Sequence, residues 1–400
     1  MFMSSRVPLP LSPFQRLGRL IAGVEPGRPP IDVSVGEPRH PVPDFVGPTL
    51  SAALADFVRY PPIKGTPAFR AAVAGWATKR FALPVGAIDQ DNGVLPLNGS
   101  REGLFHATLT AVRLASATKG PRPAILLPNP FYAVYAAAAE AAGAEPVLVA
   151  ASREDGFLPR FERLPADLLT RTVAAFHASP ANPQGAVADL ARLEDLVRLA
   201  RHYGFFLFSD ECYSEIWRGQ APNGVLSAAL GAGGDLSGVV AFNSLSKRSN
   251  LAGARCGFAI GDPSFLTAWA ALRNVTAPQV PMPIQAVAVA ALADEEHVAE
   301  NRRLYDLKYA VAHQILGDRF PDLVPPGGFF LWLDVGRWGG GEEVAVKLWA
   351  NMGVKVVPGG YLSATDAAGV NPGREFIRIA MVESIETSRE ALSRLSEVLS

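Results

Sequence analysis

Between about residues 90 and 260, short apolar runs alternate with stretches of helical period. No other feature of the chain restricts its fold as strongly. Residues 95–97, 124–127, 146–150, 171–179, 205–208, 238–242 and 256–260 read as strands. Residues 100–112, 132–142 and 190–203 read as helices, the last with apolar residues at 190, 193, 196, 197 and 200. Runs this apolar must be buried on both faces, and alternation of this kind implies an α/β unit with a mainly parallel, seven-stranded sheet covered by helices on both sides.

The two ends read differently. Residues 1–45 are rich in Pro and Gly. After about residue 285 come a long charged helix (295–316), short strands at 328–335 and 376–380, and a final helix at 384–399. The expected division is a large domain over 46–280 and a small α+β domain built from 1–45 and 281–400. A 49% apolar and 19% charged composition over 400 residues is enough for a large core. The net charge of −1 comes without a basic block, which argues against a nucleic-acid partner. The first residues lack the basic and apolar regions of a signal peptide, and no uncharged span reaches membrane length. Cys212 and Cys256 are the only cysteines, so no disulfide framework is expected and a reducing cytoplasm is the expected location.

In a parallel α/β sheet, ligands bind at the carboxyl ends of the strands. Polar residues cluster at five such ends. Asn98-Gly99-Ser100-Arg101 joins a strand to a helix, where backbone N–H groups and the Ser100 hydroxyl can face an anion; Ser100 as an ordinary helix cap is the alternative. Tyr132 can stack on a flat ring or be a core residue. Asn182, before Pro183, is extended and can donate an amide bond, or it belongs to a plain turn. Asp210 ends the most apolar strand, which is costly unless it is paired, either with a protonated ring nitrogen or with an arginine. Tyr213 follows three residues on. Ser244 and Lys247 close the next strand, and Arg255 follows. Only seven of 37 basic residues are lysines, and Lys247 alone follows an apolar strand into a hydroxyl-rich turn. Its amine suits a Schiff base with an aldehyde cofactor, with hydroxyls and a guanidinium for a phosphate; a solvated surface lysine is the alternative. Arg378 stands alone in the apolar strand 376–380, which suits a ligand carboxylate or an internal ion pair.

Together these residues resemble the pyridoxal-phosphate enzymes of fold type I, specifically the class I/II aminotransferases. The likeness runs from Val35-Gly36-Glu37-Pro38 through Tyr60, Asn98-Gly99-Ser100, Tyr132, Asn182-Pro183, Asp210-x-x-Tyr213, Ser244-x-x-Lys247 and Arg255 to Arg378. The resemblance implies pyridoxal 5'-phosphate bound through Lys247, which also shuttles the proton during catalysis. It implies that Asp210 holds the pyridine nitrogen, that Asn182 and Tyr213 hold the ring oxygen, and that Tyr132 stacks on the ring. Ser100, the backbone of Arg101, Ser244 and Arg255 would bind the phosphate. Tyr60 would reach the phosphate of a neighbouring subunit in a homodimer with shared sites. Gly36, Asn182 and Arg378 would take the substrate carboxylate. No metal is implied.

The strings around Tyr60, 128–135, 209–215, 244–250 and 371–373 are similar to those of proteobacterial succinyldiaminopimelate aminotransferases, which exchange an amino group with glutamate in lysine biosynthesis. Residues 177–185 and the Gly-rich 336–341 depart from the common pattern. A distal substrate carboxylate would need a second cation, for which Arg39, Lys64 and Arg248 are candidates. The alternatives are an aspartate, alanine or aromatic aminotransferase, a C–S lyase on the same fold, or a cofactor-binding regulator. The regulator would need a DNA-binding segment, and only 35 residues precede Gly36.

Overall fold

The computed structural model describes residues 11–115, 118–366 and 369–400. The sequence around Met1–Pro8, read above as lacking a signal peptide, lies outside them. The twelve strands are β1 (Ile31–Asp32), β2 (Val94–Leu97), β3 (Ala124–Asn129), β4 (Glu145–Ala150), β5 (Thr172–Ala178), β6 (Phe206–Asp210), β7 (Val239–Ser244), β8 (Gly257–Gly261), β9 (Phe330–Asp334), β10 (Val354–Lys355), β11 (Val357–Pro358) and β12 (Phe376–Ala380). Seven form one sheet in the order β2-β8-β7-β6-β5-β3-β4. Strands β3 to β7 run parallel, and β8 is antiparallel to both of its neighbours.

That single reversal matters for the site. It brings the amino end of β8, where Arg255 lies, to the edge that holds the carboxyl ends of the other six strands. Side chains alternate between the faces with period two. Ile125, Leu127, Phe176, Phe208, Val240 and Phe242 face helices Ser100–Ala115, Ala133–Ala141 and Pro263–Thr276. Leu126, Ala175, Leu207, Val239 and Ala241 face helices Pro67–Arg80, Leu190–Tyr203, Val225–Gly231 and Met282–Ala293. The phenylalanines at 176, 208 and 242 are wholly buried, each contributing about 1.5–3 kcal/mol by leaving water. Helix Met282–Ala293, which the expected division groups with the chain ends, packs in this large core against Pro67–Arg80.

The smaller α+β part is the antiparallel sheet β11-β12-β9, covered by helices Glu296–Leu316, Gly340–Met352 and Ile385–Val398. The N-terminal segment joins it through β1, which pairs in parallel with β10. The Gly-rich 336–341 run is one turn of 3-10 helix followed by the start of helix Gly340–Met352. A β-carbon on Gly341 would lie 2.2 Å from the Phe376 carbonyl oxygen, so the helix end can approach β12 only with glycine there. Among the described residues, no helix is long and apolar enough to cross a membrane.

Candidate active site

The lysine is placed by the end of β7. Ser244 caps the short helix Leu245–Arg248, its Oγ accepting from the Ser246 N–H at 3.1 Å. Lys247 therefore points back over the sheet edge, where its Nζ donates to the Gly36 carbonyl at 2.7 Å. Burial lowers its pKa to about 8; Arg378 and Arg255 push the same way, while Cys212 and Glu37 oppose them. The half-buried lysine is held by a backbone carbonyl and pairs with no carboxylate among the described residues, which argues against the surface-lysine alternative.

Asp210 ends β6 and is 9% exposed. Its carboxylate accepts from the Tyr135 hydroxyl at 2.7 Å and from the Cys212 N–H at 3.2 Å. Both donors are neutral, and no arginine lies in ion-pair range among the described residues, so the salt-bridge alternative does not hold. Tyr135 was not singled out by sequence. It sits three residues after Tyr132, in helix Ala133–Ala141, and its ring stacks on Phe176 at 4.3 Å. Tyr132 accepts a hydrogen bond from the exposed Arg101 side chain, a cation that sequence reasoning had credited only with its backbone. Tyr213 is half-buried against Phe329 and Phe330 (ring centroids 5.3 and 6.0 Å). Burial pushes its phenol well above the ordinary range, and nearby Arg378 counters this.

At the other end of the site lies an anion cradle. Gly99 has φ +83° and begins the turn into helix Ser100–Ala115. A β-carbon there would lie 2.3 Å from an Arg255 guanidinium nitrogen. One on Gly257 would lie 3.3 Å from the Ser100 amide and 3.5 Å from the Ser244 Cα. The Ser100 N–H, the Ser244 hydroxyl and the Arg255 guanidinium thus meet at one spot, with the Ser246 hydroxyl 2.9 Å from that of Ser244. A helix N-terminus, hydroxyls and an arginine form a phosphate-binding donor set. Cys212 has Ser100, Asp210 and Lys247 as electrostatic neighbours, so the three groups lie around one buried side chain.

Arg378 sits in β12 opposite Trp332 and Val357, 4% exposed. One terminal nitrogen donates to the Asn182 side-chain oxygen at 3.2 Å and the other to the Ser34 carbonyl at 2.9 Å, while Nε is buried with no partner. Burial lowers its pKa to about 10. No carboxylate pairs with it among the described residues, contrary to the ion-pair alternative. A buried guanidinium held only by neutral acceptors is ready for a carboxylate. Arg378→Ala is expected to raise the KM for a glutamate donor by about 10–100-fold, the worth of a charge-assisted bond pair, in steady-state assays. An unchanged KM would remove it from the site.

The three candidates for a distal cation separate. Arg248 is a structural residue: it is 3% exposed, and its side chain donates to the Ala291 carbonyl at 2.5 Å and to Glu295 at 2.6 Å. Lys64 donates to Asn92 at 2.8 Å. Arg39 forms an ion pair with Glu383 at the rim. Tyr60 is 97% exposed, beside Val58 at 84% and Phe57 at 56%.

The aminotransferase class I and II family model matches residues 28–395, so the chain belongs to that family, whose members depend on pyridoxal phosphate. The chain is 33% identical over 369 residues to a 4-dedimethylamino-4-oxo-anhydrotetracycline transaminase of Streptomyces rimosus, covering 92% of this chain and 93% of that one. It is 30% identical over 397 residues to an LL-diaminopimelate aminotransferase of Syntrophobacter fumaroxidans, covering 98% and 97%. A solved aminotransferase from Neisseria meningitidis superposes with TM-score 0.92 at 35% identity, covering 98% of each chain. A probable N-succinyldiaminopimelate aminotransferase from Thermus thermophilus superposes with TM-score 0.82 at 26% identity, covering 97% and 100%.

Proposed function

We propose that this aminotransferase exchanges an amino group between glutamate and N-succinyl-2-amino-6-oxopimelate, acting as a succinyldiaminopimelate transaminase in lysine biosynthesis. The cofactor supplies an aldehyde for the amino group and a protonated ring that withdraws electrons. The chain supplies the rest. Ser100, Arg101, Ser244 and Arg255 would hold the phosphate, and Tyr132 would pack on the ring. Asp210 would keep the ring nitrogen protonated, while Tyr213 and Asn182 would bond the ring oxygen. Arg378, with the backbone of Gly36, would clamp the substrate carboxylate. Lys247 would hold the cofactor and serve as the proton carrier; an amine with a pKa of about 8 is suited to that task near neutral pH.

The observation that carries the reading is the Lys247 amine held at 2.7 Å from Gly36, near a buried Arg378 that pairs with no carboxylate among the described residues. The diaminopimelate skeleton is supported by the strings around Tyr60 and Lys247 and by the names of the relatives. Transamination of LL-diaminopimelate itself is the second reading, favoured by the 30% identity to an enzyme of that name over almost the whole chain. The exposed apolar run at Leu54, Phe57, Val58 and Tyr60 supports a homodimer in which Tyr60 reaches the partner's phosphate. The absence of a disulfide framework supports a cytoplasmic setting. A half-reaction screen decides the substrate: loss of the lysine-linked absorbance band is followed with glutamate, aspartate, alanine, aromatic amino acids, LL-diaminopimelate and its N-succinyl derivative. Conversion by N-succinyl-LL-diaminopimelate is expected. Conversion by LL-diaminopimelate alone transfers the assignment to the second reading.

A further inference from the structure

A chain of buried polar groups lies behind Lys247 that the reaction itself does not call on. Helix Glu296–Leu316 presents Asn301, Tyr305 and Lys308 along one face, at a spacing of four and then three residues. All three are buried, at 2%, 0% and 2% exposure. Asn301 donates its amide to the Lys247 backbone carbonyl at 3.2 Å. Its oxygen lies 2.6 Å from His40 Nδ1, and His40 Nε2 lies 2.7 Å from Lys308 Nζ. The His40 ring packs on Tyr305 at 4.4 Å. Among the described residues, Lys308 pairs with no carboxylate.

His40 also ends a strap. The Val33 carbonyl accepts from the Ala380 N–H at 2.8 Å, Ser34 holds Arg378, and Gly36 holds the Lys247 amine. A β-carbon on Gly36 would lie 2.4 Å from the Phe330 ring, so the strap is pressed against β9 and its carbonyl position is set by what anchors its far end.

The donor roles along this chain are determined by Lys308. An ammonium can only donate, so Nε2 of His40 must accept. The ring proton then sits on Nδ1 and donates to the Asn301 oxygen, which leaves the Asn301 NH2 to face Lys247. We propose that Lys308, His40 and Asn301 form a positioning unit that fixes the strap and the Lys247 turn relative to each other, and so sets where the Gly36 carbonyl meets the lysine amine. These are positioning residues and touch neither substrate nor cofactor. The inference rests on Lys247 as the reacting amine and is independent of which amino acid is the substrate.

Two measurements test it. In the full-length wild-type chain at pH 7, 15N NMR of the histidine rings, with His40 assigned by its loss in His40→Gln, is expected to show His40 protonated at Nδ1. Protonation at Nε2 overturns the proposal without any variant having to fold like the parent. The second measurement is the pH dependence of pyridoxal phosphate capture by the cofactor-free full-length chain, read as growth of the lysine-linked band. Its midpoint reports the Lys247 amine, expected at about 8 in the wild type. With the Gly36 acceptor displaced, the ammonium loses its hydrogen bond. Lys308→Met and Asn301→Ala are expected to lower the midpoint by about half a pH unit or more, with Lys308→Arg restoring it. An unmoved midpoint in a folded Lys308→Met or Asn301→Ala chain, even one with a lowered Tm, assigns the network a purely structural role and overturns the proposal. The half-reaction screen fails or succeeds independently of either result.

Discussion

Replacing Lys247 with alanine is expected to cut turnover by at least about 10^4-fold, the upper end of what one positioned acid–base group supplies. The loss should fall on kcat, because the Ser100 helix end and Arg378 belong to other elements and remain in place. The substituted chain should still take up pyridoxal phosphate, showing the absorbance of the free aldehyde in place of the lysine-linked band. Of the other six lysines, Lys308 is sequestered on His40 and Lys64 and Lys119 are engaged with Asn92 and with the Thr170 and Tyr203 carbonyls. These three amines are committed to other partners. Retained multiple turnovers would mean that the reacting amine has been wrongly assigned.

Asp210→Ala is the second large effect. The carboxylate is held by a phenol and a backbone N–H, both neutral, so its charge is not spent on any protein cation. Its removal should lower kcat by about 10²–10³-fold, as for other preorganised electrostatic groups, with little change in KM. The change also orphans the buried Tyr135 hydroxyl, at a cost of about 1–3 kcal/mol of stability. Thermal unfolding of Asp210→Ala against Asp210→Asn separates the two effects. Asparagine retains a partner for Tyr135 and should keep most of the Tm while leaving kcat low. A catalytically competent Asp210→Asn chain would show that the charge is not needed.

The large domain was legible in the sequence because its strands are apolar on both faces and end in polar residues that the core cannot absorb. Asp210, Ser244 and Lys247 announce themselves this way. The reversed direction of β8 was not legible: a five-residue apolar strand carries no mark of its direction, and only the pairing with β2 and β7 fixes it. Helix Met282–Ala293 is buried over much of its surface and lacks the apolar stripe by which helices such as Leu190–Tyr203 are recognised. Tyr135 escaped notice because its value lies in reaching a residue 75 positions away. Arg248 was misjudged for a related reason. It neighbours the lysine in sequence but turns the other way, into the Ala291–Glu295 helix end. Adjacency along a helix turn says little about which side a side chain serves.

The antiparallel β8 has a mechanical consequence. Because β7 and β8 are neighbours running in opposite directions, Ser244, Lys247 and Arg255 all lie on the single connection between them. Tether and phosphate clamp therefore move as one piece. Asp210 and Tyr132 belong to different strand ends and can be displaced independently. A ring held by these residues would be anchored on one connection at its phosphate and lysine side, while the partner of its nitrogen would stand on a separate strand end.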